Sequence, residues 1–144
     1  MNLREMTLQY RPSNVCLSDD TMSTPRTAAS VLQRLIGDEV SEVFIVMLLN
    51  TRHRVQSYHV VARGGIDGAH VTPREVLRAA LMANAPGLIL SHNHPSGDPE
   101  PSREDKALTN RMAEAAAILG LELLDHIVIG HERYVSFKEA GLMA

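Results

Sequence analysis

Residues 87–105 read Gly-Leu-Ile-Leu-Ser-His-Asn-His-Pro-Ser-Gly-Asp-Pro-Glu-Pro-Ser-Arg-Glu-Asp. The stretch opens as a short apolar run with the length of a strand buried on both faces, and it turns polar at His92. A loop dense in Pro, Ser, Gly and Asp follows, the residue types that build tight turns. Ser102 then stands where a helix cap belongs, with Asp105 at the capping-box spacing. A buried strand, a turn and a helix start in succession form part of an α/β unit, and polar chemistry gathers where the strand stops.

Working outward, the helix that begins at Ser102 has Ala107, Leu108, Met112, Ala115, Ala116 and Leu119 as its predicted inner face, ahead of Gly120. Two strands follow over about 121–129 and 133–137, separated by Gly130. Upstream, Thr72-Pro-Arg-Glu is a capped helix start, with threonine as cap and proline in the first helical position, and this helix runs to about Asn84. The branched apolar run 42–49 predicts a central strand, and 54–62 forms a hairpin with it that Gly64, Gly65 and Gly68 end. A helix over 25–36 is capped by Thr24, opened by Pro25 and closed by Gly37, with Ala28, Val31, Leu32 and Leu35 as its apolar stripe. Residues 1–24 show no sustained period and read as a short strand at most, then loop. The expected organisation is an N-terminal extension, 1–24, and one α/β domain, 25–144. Strands interleaved with helices, combined with two hairpins, predict a three-layer sandwich with a mixed, partly antiparallel sheet.

The chain has 144 residues, 44% apolar and 22% charged, which suits one globular domain. Its net charge of −3 and the absence of any lysine- or arginine-rich run argue against nucleic acid as the default partner. Cys16 is the single cysteine, so no internal disulfide forms, and a lone thiol fits a reducing compartment such as the cytoplasm. Residues 1–14 hold no apolar stretch suited to a signal peptide or a membrane span.

His92 and His94 are one residue apart, and alternate side chains of an extended chain project to the same side. Both imidazoles therefore converge on one ion, with Asn93 pointing elsewhere, and the Pro/Gly-rich turn brings Asp105 on the next helix back as a third ligand. Two histidines and a carboxylate, with the last tetrahedral position open, are a catalytic zinc arrangement. Zinc lowers the pKa of water it binds from about 15.7 to roughly 7 and polarises a substrate carbonyl. Glu42, before a buried strand, is the best candidate to accept the proton and pass it to a leaving amine; Glu39 is the nearby rival.

An upstream Glu, then His92-Asn-His-Pro, seven residues to Ser102 and Asp105 three beyond it, resembles the JAMM (MPN+/JAB) metalloprotease motif. Thr72-Pro-Arg-Glu, the 92–102 run and Leu124-Asp-His-Ile-Val-Ile-Gly130 are similar to the RadC branch of that superfamily, and the resemblance covers roughly residues 38–138. It implies a zinc-dependent peptidase or isopeptidase acting on a peptide or protein. His92, His94 and Asp105 would be ligands of one Zn²⁺, Glu42 the general acid/base and Ser102 a donor to the tetrahedral oxyanion. Family members often carry Ser or Thr where Asn93 stands, a departure that leaves the substrate class open. The links here are short beside the insertions with which deubiquitinating members grip ubiquitin, so ubiquitin is not carried over as substrate. Full-length RadC proteins add an N-terminal region resembling helix-hairpin-helix modules. About 40 residues before Glu42 are too few for it, so a catalytic domain alone is expected.

Each feature also has a structural explanation. Asp105 alone would be a helix-start acid favoured by the dipole, and Ser102 an N-cap. Asp125 and His126 either orient a ligating histidine or form a satisfied polar pair on a strand; His53, His59, His70 and His131 are assigned no role. Two other functions compete with the peptidase: a metal-dependent nuclease or DNA-repair accessory protein, which the acidic balance disfavours, and a non-catalytic protein-binding scaffold, which would be natural had a ligand been replaced.

Overall fold

The computed structural model of the chain describes residues 1–64 and 71–143; Gly65, Gly68 and His70 lie outside them. Three helices, α1 (Pro25–Ile36), α2 (Pro73–Met82) and α3 (Arg103–Ile118), accompany five strands, β1 (Val43–Leu49), β2 (Val55–Arg63), β3 (Gly87–Asn93), β4 (Glu122–Ile129) and β5 (Tyr134–Ser136). The strands form one sheet in the order β2-β1-β3-β4-β5. β3 and β4 are parallel, joined by the α3 crossover, and the other pairs are antiparallel. The mixed sheet is the predicted one, and element ends fall within a residue or two of those read from the sequence.

The alternation of β1 divides the interior. Val43, Ile45, Met47 and Leu49 pack with Ile89, Ile127, Ile129 and the apolar stripe of α1. Phe44, Val46 and Leu48 pack with Leu88, Leu90 and residues of α2 and α3, among them Val76, Leu77, Met112 and Ala116. The result is α1 on one face and α2 with α3 on the other. Strands so placed are buried on both sides, which is why β1 and β3 read as unbroken apolar runs.

One expectation changes and another is narrowed. The inner face of α3 consists of Thr109, Met112 and Ala116, with Leu108 and Ala115 partly buried. Ala107 is exposed and Leu119 is 46% exposed. Apolar periodicity overlooked Thr109 because the helix begins over the polar end of the sheet. Residues 1–24 form no strand; Thr21 makes an isolated bridge to Arg54, and residues 1–14 are exposed throughout.

The loop from His94 to Pro101 is pressed onto the β4–β5 turn at two glycines. A Cβ on Gly130 would stand 2.4 Å from the Gly97 carbonyl oxygen, and Gly97 itself has φ +94° with the His131 ring where its Cβ would be. Only glycine permits this approach at either position. The His131 N–H donates to the Gly97 carbonyl at 3.0 Å, fixing the loop as it doubles back toward α3. Among the described residues no helix is long and apolar enough to cross a membrane.

Candidate metal centre

The site is built where β3 ends. The His94 N–H donates to the Ile129 carbonyl at 2.8 Å, so the extended alternation of β3 carries one residue past its last pair and both rings project together. The capping box fixes the third side chain: the Ser102 hydroxyl accepts from the Asp105 N–H at 3.0 Å, and the Ser102 N–H donates to Asp105 Oδ2 at 2.9 Å. That same Oδ2 lies 3.2 Å from His92 Nε2 and 3.4 Å from His94 Nε2, and the two Nε2 atoms are 3.0 Å apart.

Around a tetrahedral ion with bonds of about 2.0–2.2 Å, neighbouring donors stand about 3.3–3.6 Å apart. The triangle has close to that edge, and its atoms are of the type that binds zinc-like ions. His92 is buried, whereas His94 and Asp105 are each 17% exposed, so the triangle opens to solvent on their side. Burial pushes the Asp105 carboxyl up, but the bond and charge that His92 offers when its ring is protonated, together with the two Ser102 bonds, outweigh it and hold the group well below the usual carboxylate range. Asp105 is therefore ionised, the state in which a carboxylate could hold a cation.

Glu42 sits half-buried just before β1, and its carboxylate lies within 4.8 Å of ring nitrogens of both His92 and His94. Glu42, His92 and His94 thus form a group able to hold a metal ion, beside Asp105. Glu39 turns elsewhere and pairs with Arg63 at 3.1 Å. Asn93 explains the position of Glu42. Its Oδ1 accepts from the Val43 N–H at 2.7 Å and its amide donates to the Ser41 carbonyl at 3.1 Å, so one buried side chain clips the backbone on both sides of Glu42.

His94 Nδ1 meets the Asp98 carbonyl at 2.8 Å. His92 Nδ1 meets His126 Nε2 at 2.9 Å, and His126 Nδ1 meets the Thr109 hydroxyl at 2.6 Å. Burial, with His92 beside it, lowers the His126 pKa well below the ordinary imidazole value. Asp125 faces another way: it accepts from the Ser136 hydroxyl and from the N–H groups of Lys138 and His126. Its carboxyl is pushed up by burial, against those bonds. Thr109 was missed from sequence; the signal available was its position four residues after Asp105, on the same side of the helix. Gly37, Asp38, Glu39, Val40, Pro95 and His131, none of them a member of the cluster, line an open cleft of about 380 Å³.

Comparison with known proteins bears on these positions. Residues 22–142 match the RadC-like JAB domain family. A UPF0758 protein of Thioalkalivibrio sulfidiphilus is 47% identical over 124 residues, 86% of this chain and 55% of that protein. A UPF0758 protein of Clostridium beijerinckii is 39% identical over 141 residues, 98% of this chain and 62% of its own length. The chain spans somewhat more than half the length of these relatives. With a match that encloses β1, β3 and the start of α3, from which the cluster is built, this chain belongs to the RadC-like JAB domain family.

Proposed function

We propose that this domain is a zinc-dependent hydrolase of the JAMM type that cleaves an amide or isopeptide bond, with His92, His94 and Asp105 as the metal ligands. The observation that carries the reading is the triangle of two imidazole nitrogens and one carboxylate oxygen, 3.0–3.4 Å on each edge, at the open end of a buried strand. A divalent ion held there supplies a Lewis acid that activates water and polarises the scissile carbonyl.

The chain's own residues do the rest. Glu42, whose flanking peptides Asn93 holds, takes the proton of the attacking water and delivers it to the departing amine. The Ser102 oxygen is occupied as an acceptor by the Asp105 N–H, which leaves its hydroxyl hydrogen to donate to the oxyanion. A cytoplasmic peptide or protein is the proposed substrate.

The test pairs elemental analysis with single-turnover assays on peptide and isopeptide substrates, followed by proteomic profiling of cleaved proteins. Glu42→Gln is expected to keep its zinc and lose about 10²–10⁴-fold in turnover, the usual worth of a general acid/base, while Asp105→Ala loses the metal. Purified protein that neither contains nor takes up a stoichiometric divalent ion would overturn the proposal. Full turnover in Glu42→Gln would remove that residue from the mechanism.

A further inference from the structure

Building on the metal-hydrolase reading, we infer that Thr109 and His126 are positioning residues that set the ring tautomer of His92, and so decide whether its Nε2 meets the cluster as a lone pair or as an N–H. Hydrogen-bond directions fix the protons one after another. The Asp105 carbonyl can only accept, so the Thr109 hydroxyl spends its hydrogen there, at 2.8 Å. The Thr109 oxygen must then accept from His126 Nδ1–H at 2.6 Å. A neutral imidazole carries one ring hydrogen, which leaves His126 Nε2 bare to accept from His92 Nδ1–H at 2.9 Å. His92 Nε2 is left as a lone pair facing Asp105 and His94. His94 reaches the same state by its own route, because the Asp98 carbonyl claims its Nδ1–H.

The surroundings hold this chain of protons in place. His126 is fully buried, stacked on Phe137 with ring centroids 4.7 Å apart and meeting Phe44 edge-on at 5.7 Å. His92 stacks on the same Phe44 at 5.8 Å. Both rings thus lie against aromatic faces, and the ring nitrogens of His126 are taken up by Thr109 and His92. Were the Thr109 hydroxyl rotated onto His126 Nδ1, every proton in the chain would reverse and His92 Nε2 would carry an N–H aimed at the other ligands, closing the site to a cation. The Asp105 carbonyl prevents that rotation. One hydroxyl therefore couples the tautomer of His92 to the helix turn that carries Asp105.

The experiment uses the metal-free, ¹⁵N-labelled chain and long-range proton–nitrogen correlation of the imidazoles, followed by Zn²⁺ titration against a competing chelator. Wild type is expected to show Nδ1–H rings at both His92 and His126. Thr109→Val, which keeps the side chain's volume but has no hydroxyl, is expected to mix the tautomers and weaken zinc binding about 10–100-fold, the usual worth of a ligand's hydrogen-bond partner. Thr109→Ser, which keeps the hydroxyl and loses a buried methyl group, should retain the wild-type tautomers and zinc affinity; a purely packing role would penalise it as much as valine. An Nε2–H ring at His126 in wild type overturns the inference even if Thr109→Val fails to fold. So does a folded Thr109→Val protein with unchanged ring nitrogens and zinc affinity. Wild type that shows the predicted tautomers but binds no zinc would instead sink the hydrolase reading, and the two failures are thus distinct.

Discussion

The two faces of the sheet, both apolar along most of their length, treat polar residues near the end of β3 in opposite ways. On the α1 side, Ser91 donates to the Ile127 carbonyl at 2.6 Å and Asn93 bonds the backbone of Val43 and Ser41. On the α3 side, His92 meets His126, His94 and Asp105, and His126 meets Thr109. Buried polar groups must find partners on either face. Where the partners are backbone, the side chain completes the fold. Where they are other side chains with lone pairs to spare, the arrangement suits the metal site proposed above, and adjacent residues of one strand separate the two kinds of partner.

Substitution on each face tests that division. The largest expected effect is on the α3 side: His94→Ala loses stoichiometric zinc, measured by elemental analysis, while the unfolding free energy of the metal-free protein moves by no more than about 1 kcal/mol, the worth of the one ordinary bond it gives up. Next comes Asn93→Ala. It leaves the Val43 N–H without its buried partner and releases the Ser41 carbonyl, so urea unfolding is expected to show a loss of about 2–4 kcal/mol. Zinc stays bound, but turnover falls with little change in KM because Glu42 is no longer held. Ser91→Ala, on the same side, should cost only about 1 kcal/mol and change neither metal nor turnover. Loss of zinc in Ser91→Ala, or unaltered stability in Asn93→Ala, would dissolve the contrast.

The same contrast explains what could be read from the sequence. Layers, strands and helix starts were legible because burial on both faces leaves continuous apolar runs and because Thr24, Thr72 and Ser102 are strong caps. The meeting of His92, His94 and Asp105 was legible because it follows from strand alternation and a capping box, both local in sequence. Thr109 was not, since a polar residue on the inner face of a helix is invisible to a rule that counts apolar ones. The partnership of His92 with His126 depends on the β3–β4 register, which pairs Leu90 with His126 and breaks between Leu88 and Ile89. No local pattern announces such a shift. Asn93 could be placed off the metal side, but its grip on the peptides around Glu42 required knowing that β1 and β3 are neighbours.

The smallest expected effect is in the pH dependence of the metal-free protein, where the two faces pull in opposite directions. His126 has a pKa depressed by burial below its usual 6.5, so as the pH falls beneath that value the unfolded chain takes a proton that the folded chain refuses, and stability declines. Asp125 has a carboxyl raised by burial above the usual 3.8. As the pH falls through that raised value the folded chain binds the proton first, and this group adds stability until the unfolded chain is also protonated, below about 3.8. Unfolding free energies measured from pH 8 downward should therefore begin to drop near 6.5, and the decline should steepen in Asp125→Asn, which removes the opposing proton uptake while keeping one oxygen for the N–H groups of His126 and Lys138. A profile flat between pH 7 and 5 would mean that His126 accepts its charge in the folded state, and that the α3 face is less closed to protons than its packing against Phe44 and Phe137 implies.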